Sequence, residues 1–352
     1  MKAVVFINIG SPDKPEAEAV GKYLRQFLMD KHVLDIPYIA RLMLVNGIIV
    51  PFRKKHSAEL YRSVWTEGGA PLKVIQHKLI EKVSHHFNPE EVYITQAMRY
   101  GNPSIKQVIK ELAHKNTTDI LFFLLYPQNT GSTVKSAKEE ILKNISLHSA
   151  NSNITFIDSF YEDIDYLSCL TASVKEAYQA FPLTRKLIFT YHGVPVSHLP
   201  CPRDIAKECN TEWGGCKWNH PEHKTCYRFQ CYRTTEAIAE SLHIKPDDYI
   251  HCFQSRLGKG EWLKPYLSEE IQALPAKGIS KVMILAPSFL TDCLETYSEI
   301  NIEIRELFLK NGGSDFFYLP CLNDRTDWSI VICQWIKCWL NNSDISKSRV
   351  SL

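Results

Sequence analysis

The sequence predicts an α/β fold made of two similar Rossmann-like domains with parallel sheets, and an active site in the cleft between them. Three observations predict it. Short apolar runs alternate with amphipathic segments along the chain, the rhythm restarts after about residue 160, and the two halves share residues that punctuate their strands.

Residues 3–9 form a compact apolar run stopped by Gly10-Ser11-Pro12, and Val20, Tyr23, Leu24, Phe27 and Leu28 follow at helical spacing. Residues 92–97, 120–126 and 154–157 read as further buried strands, with helical patterns over 72–85, 105–114 and 134–145 between them. Uninterrupted apolar strands need a helix over each face, which is the requirement of a parallel sheet. The second half repeats this with strands at 186–191, 249–253 and 281–286. Near the end, Trp328, Val331, Ile332, Trp335, Ile336 and Trp339 form one helical stripe suited to docking on a core, with Cys333 and Cys338 beside it as structural thiols. The expected division is an N-terminal domain over 1–158 with a returning helix within 325–345, and a C-terminal domain over 159–324.

The shared punctuation suggests duplication. Gly10-Ser11-Pro12 is matched by Gly193-Val194-Pro195, Arg99-Tyr100-Gly101 by Arg256-Leu257-Gly258, and the stop at Pro127 by one at Pro287. In such sheets ligands bind outside the carboxyl ends of the strands.

Composition sets the bounds. Of 352 residues, 45% are hydrophobic and 23% charged, which excludes a disordered chain. Lys and Arg (41) nearly balance Asp and Glu (39), so no global field draws nucleic acid. The longest apolar stretch, residues 42–52, is too short to span a bilayer, and the N-terminus lacks the layout of a signal peptide. A cytoplasmic protein is expected, able to rest peripherally on the inner membrane. In a reducing compartment the 11 cysteines are not disulfides, and five of them, Cys201, Cys209, Cys216, Cys226 and Cys231, crowd into one stretch.

Two constellations carry chemistry. His192 directly follows an apolar strand at a tight Gly-Pro turn, and imidazole is the side chain able to take up a proton near neutral pH. After another strand, Glu295 and Glu299 are four apart and so share a helical face, with Asp292 one turn earlier. A histidine on one domain and carboxylates on the other suit proton and metal handling in an interdomain cleft.

These residues lie in stretches that resemble the ferrochelatase family over nearly the whole chain. The matching stretches are Phe6-Ile7-Asn8-Ile9-Gly10-Ser11-Pro12, Tyr61-Arg62-Ser63-Val64-Trp65 with Gly69-Ala70-Pro71-Leu72, Ala97-Met98-Arg99-Tyr100 and Tyr126-Pro127-Gln128. They continue, in the family's order, with Tyr191-His192-Gly193-Val194-Pro195, Phe253-Gln254-Ser255-Arg256, Trp262-Leu263-Lys264-Pro265 and Asp292-Cys293-Leu294-Glu295-Thr296. The resemblance implies a chelatase-like fold and a lyase that inserts ferrous iron into protoporphyrin IX, giving protohaem and two protons at the last step of haem synthesis.

It also implies roles. His192 would accept the pyrrole protons and Glu295 would be the obligatory carboxylate, both meeting the substrate iron, with Glu299 and Asp292 continuing an acidic path. Ile9, Tyr61, Arg99, Tyr126 and Trp262 would line the porphyrin pocket. The apolar segment 42–50 before Pro51-Phe52-Arg53-Lys54-Lys55 would be the lip, with Arg53 near a propionate and a face fit to touch an anionic membrane. From residues alone that segment reads as a buried helix followed by a solvated basic turn.

Departures from the family refine the expectation. Ile9 stands where members acting on coproporphyrin carry tyrosine, which implies protoporphyrin IX. Cys293 stands where some relatives have histidine. Gly131, and an end at Leu352 without a Cys-rich tail, imply that the animal-type [2Fe-2S] cluster does not form. In its place the chain inserts, at about 199–231, Cys201-x7-Cys209-x6-Cys216-x9-Cys226. The expectation is a [2Fe-2S] cluster on these four thiolates with Cys231 outside it, and zinc is the competing occupant. The functional alternatives are a non-catalytic tetrapyrrole or metal-binding sensor, or a chelatase for coproporphyrin III or another divalent metal. A degenerate sensor should lose His192 or Glu295, and both are present.

Overall fold

A computed structural model of the chain describes residues 1–149, 151–180, 186–211, 216, 218–256 and 260–342. It contains two four-stranded sheets, each wholly parallel. The first comprises β1 (Lys2–Asn8), β2 (Val92–Met98), β3 (Asp119–Leu124) and β4 (Asn153–Ile157), in the order β2-β1-β3-β4. The second comprises β5 (Lys186–His192), β6 (Tyr249–Gln254), β7 (Lys281–Leu285) and β8 (Asp315–Tyr318), in the matching order β6-β5-β7-β8.

The period-2 alternation of the strands sorts their side chains into separate cores. Ala3, Val5, Ile7, Ile120, Phe122 and Leu124 pack under the helices Ile105–His114 and Ser136–His148. Val4, Phe6, Leu121 and Phe123 face the opposite way, into a cluster that also takes Leu187, Phe189 and Tyr191 of β5. One apolar core therefore joins the two sheets. The stripe of the C-terminal helix Thr326–Leu340 fills it, with Trp335 stacked on Phe123 at 5.7 Å and Trp328 edge-on to it at 6.5 Å. That helix packs against Pro71–Ser84 and Ile164–Ala180.

The internal repeat shows in the backbone as well. Met98 N–H donates to Pro103 O at 2.7 Å, and Phe253 N–H donates to Pro265 O at 2.8 Å. Aligning Met98 with Phe253 carries their partners, Asn8 and Tyr191, onto each other, and so Ile9 onto His192 and Gly10 onto Gly193. The Gly-x-Pro marks coincide. At Gly10 (φ +98°) a Cβ would sit 1.9 Å from Tyr100 O, and at Gly193 it would sit 2.9 Å from Gln254 O, so both turns need the bare backbone. The Arg-x-Gly marks do not coincide: Arg99 falls on Gln254, two residues before Arg256, and Leu257 and Gly258 lie outside the described residues.

Four further features depart from the expectation. Strand β8, only four residues long, carries too short a run to declare itself. Residues 42–55 are not a buried helix and a basic turn: Tyr38–Met43, a π-helical stretch Leu44–Ile49 and Val50–Val64 run on as one helical rod. Phe52 is 80% exposed there, while Val45 and Val50 are buried. The Cys-rich insertion is not a plain loop, since Arg203–Thr211 is helical and Pro221–Thr225 forms a 3-10 turn. Finally, Glu295–Ile304 winds as a π-helix rather than an α-helix. Ten residues of π-helix is long for a conformation found mostly as single-turn bulges, often at functional sites.

Candidate active site

A cleft of about 850 Å³ opens where the carboxyl ends of both sheets meet. Asn8 and Ile9 enter it after β1, Leu125 and Tyr126 after β3, His192 at the end of β5, and residues 288–291 after β7. Cys293 and Glu295, the latter the first residue of the π-helix, complete the wall. The expected residues Ile9, Tyr126, His192 and Glu295 thus share one surface, but His192 and Glu295 do not come from opposite domains as expected: both follow strands of the second sheet, β5 and β7, and the first sheet contributes Ile9 and Tyr126.

His192 is held tightly. Its Nδ1 lies 2.7 Å from Gly193 O, which can only accept, so Nδ1 carries the hydrogen and Nε2 keeps its lone pair. Its backbone N–H reaches Ser288 Oγ at 3.3 Å, and its carbonyl accepts from the Tyr227 hydroxyl at 2.9 Å. The aromatic face of Trp262 backs the turn, since a Cβ on Gly193 would meet that ring at 3.3 Å.

Glu299 lies behind the cleft wall. Its carboxylate accepts from Ser255 N–H at 2.8 Å and from the Ser255 hydroxyl. Ser255 adopts φ +65°, a left-handed backbone unusual for serine, to aim both donors at it. Burial pushes the Glu299 carboxyl above its usual range, against the pull of the Ser255 hydroxyl and the positive potential of His192, while the Glu295 charge adds to the rise. His192, Glu295 and Glu299 therefore form one electrostatic unit. Tyr61 borders it as well: burial, then the Glu295 charge, push its phenol well up.

Three expected residues are placed otherwise. Asp292 is buried, and its oxygens accept from the Tyr318 hydroxyl at 2.5 Å and Asn323 Nδ2 at 2.6 Å, so it anchors the turn before the π-helix rather than extending an acidic row. Arg99 spends its guanidinium on Asp30 at 2.5 Å and Ser136 Oγ at 2.7 Å, which turns it away from the cleft. Burial would raise the Asp30 carboxyl, but Ser136, the His32 N–H, Arg99 and Tyr100 together hold it low. Arg53 is exposed on the helical rod near Phe52, outside the cleft proper. Sequence reasoning overlooked Tyr227, Ser288 and Ser255 as parts of this site. Ser255 and Ser288 stand in stretches that carry signal, Phe253-Gln254-Ser255-Arg256 and the run from Pro287 to Glu299, whereas nothing in residue type or spacing distinguishes Tyr227.

The thiols of Cys201, Cys209, Cys216 and Cys226 lie within one another's electrostatic reach. Burial raises the Cys201 thiol first, then the charges of Cys209 and Cys216; Cys216 feels Cys209, and Cys226, raised to about 11 chiefly by burial, feels Cys201 and Cys216. The Arg228 guanidinium lies within the field of Cys209, Cys226 and Cys216. No group of three or more His, Cys, Asp or Glu among the described residues is gathered closely enough to hold a metal ion, and residues 212–215 and 217 of the insertion lie outside them. No helix of the described residues is long and apolar enough to cross a membrane.

A family model described as ferrochelatase matches residues 1–338. A ferrochelatase of Porphyromonas gingivalis is 38% identical over 328 residues, covering 93% of each chain. One from Opitutus terrae is 36% identical over 345 residues, covering 97% of this chain and 99% of its own. Among solved structures, SirB from Bacillus subtilis with Fe3+ aligns over 96% of this chain and 94% of its own, with a TM-score of 0.49 at 11% identity.

Proposed function

The chain belongs to the ferrochelatase family and is an enzyme that inserts iron into a porphyrin in haem synthesis, and from that premise we propose that His192 and Glu295 carry the reaction. The observation that supports this most is their joint presence in one cleft with apolar Ile9 and phenolic Tyr126. Insertion replaces two pyrrole N–H bonds by bonds to iron, so two protons must leave. The free Nε2 of His192 takes up a proton, and the Glu295 carboxylate balances the charge of the incoming ferrous ion. Glu299, kept prone to protonation by burial, receives protons behind Glu295. The macrocycle is bent as it binds, so that a nitrogen lone pair meets the metal, and binding of the rest of the ring funds that strain.

The substrate is protoporphyrin IX. Ile9 contributes an apolar wall where a polar group would suit a more carboxylated ring, and kcat/KM for protoporphyrin IX is expected to exceed that for coproporphyrin III in a side-by-side anaerobic assay. The reverse ranking would exclude this preference. Arg53 meets a propionate at the mouth, and Trp262 supports the turn that bears His192. Because the propionate contact is similar in ground and transition states, Arg53→Ala should raise the porphyrin KM about three- to tenfold and leave kcat within about twofold. A kcat loss at constant KM would remove Arg53 from substrate binding.

The helical rod next to Arg53 exposes Tyr38 (62%), Ile39 (68%), Met43 (63%), Ile48 (56%) and Phe52 (80%) beside Lys55. An apolar face with basic residues suits peripheral contact with an anionic bilayer, from which an apolar porphyrin could pass into the cleft. The protein works in the cytoplasm at that surface. Cys201, Cys209, Cys216 and Cys226 hold a [2Fe-2S] cluster once their thiols are drawn together by the metal; the reading rests on four thiols in one insertion and on the cationic Arg228 in the field of Cys209, Cys216 and Cys226. Cys231 stays outside it, fully buried. The cluster supplies a structural cross-link, since iron insertion moves no electrons. The N-terminal domain ends at about residue 158, with the last helix returning to it.

A further inference from the structure

The geometry points to Tyr227 as a positioning residue that sets the orientation of the His192 ring, and this rests on the reading of His192 as the base. The peptide unit between His192 and Gly193 is fixed from both sides. Its carbonyl accepts from the Tyr227 hydroxyl at 2.9 Å, and its N–H donates to Gln254 O at 2.7 Å. The next carbonyl, Gly193 O, takes the Nδ1 hydrogen of His192 at 2.7 Å. Rotation of that peptide would therefore swing Gly193 O away and release the ring. A Cβ at Gly193 would strike Gln254 O at 2.9 Å, so the turn has no slack on its other side.

Tyr227 is well placed for this. It is buried, it begins the helix Tyr227–Ser241, and its ring lies against both the catalytic cleft and the wider groove beside it. Its predecessor, Cys226, is the N-cap residue of that helix. The clamp on His192 is thus attached to the end of the Cys-rich insertion, although the two are more than thirty residues apart in sequence. A base must be held within a few tenths of an ångström of its working position, and small misplacements far from the chemistry are costly.

Tyr227→Phe keeps the ring and deletes only the donor. In the full-length protein, assayed anaerobically with ferrous iron and protoporphyrin IX, kcat should fall about ten- to a hundredfold while the porphyrin KM stays within about twofold. An unchanged kcat overturns the inference. So does a raised KM with normal kcat, which would make Tyr227 a wall of the porphyrin pocket and nothing more. Should the variant not fold, the unaltered protein gives the answer: nitrogen-15 spectra of labelled histidine should show neutral His192 protonated at Nδ1, and protonation at Nε2 instead overturns the clamp. Failure of the underlying reading looks different. If His192→Ala retains turnover, His192 is not the base; if His192→Ala is inactive and Tyr227→Phe is normal, only the role of Tyr227 is lost.

Discussion

Replacing His192 by alanine should lower kcat for iron insertion by about a thousandfold, with the fold intact. The side chain is only partly buried, and its backbone bonds to Ser288 and Tyr227 do not depend on the ring, so the loss falls on chemistry. Positioned acid–base groups contribute on the order of 10²–10⁴ in rate, and this one has a single accessible lone pair, because Nδ1 is committed to Gly193 O. Glu295→Gln should cost a similar factor. Glutamine keeps the shape and the hydrogen-bonding oxygen of Glu295 but removes the charge that meets a divalent cation. The check is stopped-flow or steady-state haem absorbance with saturating iron and porphyrin, alongside circular dichroism to show that each variant folds. Near-normal turnover in either one would remove that residue from the mechanism. The two losses should also fail to add in the double variant, because His192 and Glu295 both act on Glu299 and work as one unit.

How far the sequence reached depended on what each residue had to satisfy. The long central strands were legible because being buried on both faces leaves an unbroken apolar run, as in Ile120–Leu124. Strand β8 was not, because an edge strand of four residues needs no such run. Gly10 and Gly193 were legible as repeat marks because backbone crowding at those turns admits no side chain. The Arg-x-Gly pair was misleading, because arginine and glycine recur at strand ends for different reasons: Arg99 is tied to Asp30, whereas Arg256 lies over the Tyr266 ring. Acidic spacing brought Glu295 and Glu299 together correctly but added Asp292, whose partners Tyr318 and Asn323 come from the far side of the π-helix and leave no trace in local pattern. The π-helix itself is a tertiary outcome. Its residues also satisfy an α-helical pattern, and what sets it apart lies elsewhere in the chain: it packs against the helix Val50–Val64, and its Glu299 is tied to Ser255 just after β6.

Changing any one of Cys201, Cys209, Cys216 and Cys226 to serine should bleach the purified protein and lower its Tm by at least about 5 °C, whereas Cys231→Ser should leave the colour. Among the described residues of the insertion, the helix Arg203–Thr211 is short, and two of the four thiols are only half-buried. Burial raises the Cys201, Cys216 and Cys226 thiols, the last to about 11, so without a metal these three stay neutral and contribute little. A bound cation reverses that, because it turns each thiol into a ligand anion, and the Arg228 charge offsets the excess. Folding and metal binding are then a single equilibrium. Since every ligand must give up a proton, metal affinity should fall as pH falls. Anaerobically purified protein should be red-brown, with about two irons and two sulfides per chain. A colourless protein with one zinc and no acid-labile sulfide would replace the cluster by a zinc site on the same thiols, and a protein with neither metal would eliminate the site. If Cys231→Ser bleaches the protein while Cys201→Ser does not, the fourth ligand is Cys231. Such a ligand set would be drawn from the helix Tyr227–Ser241 that also carries Tyr227.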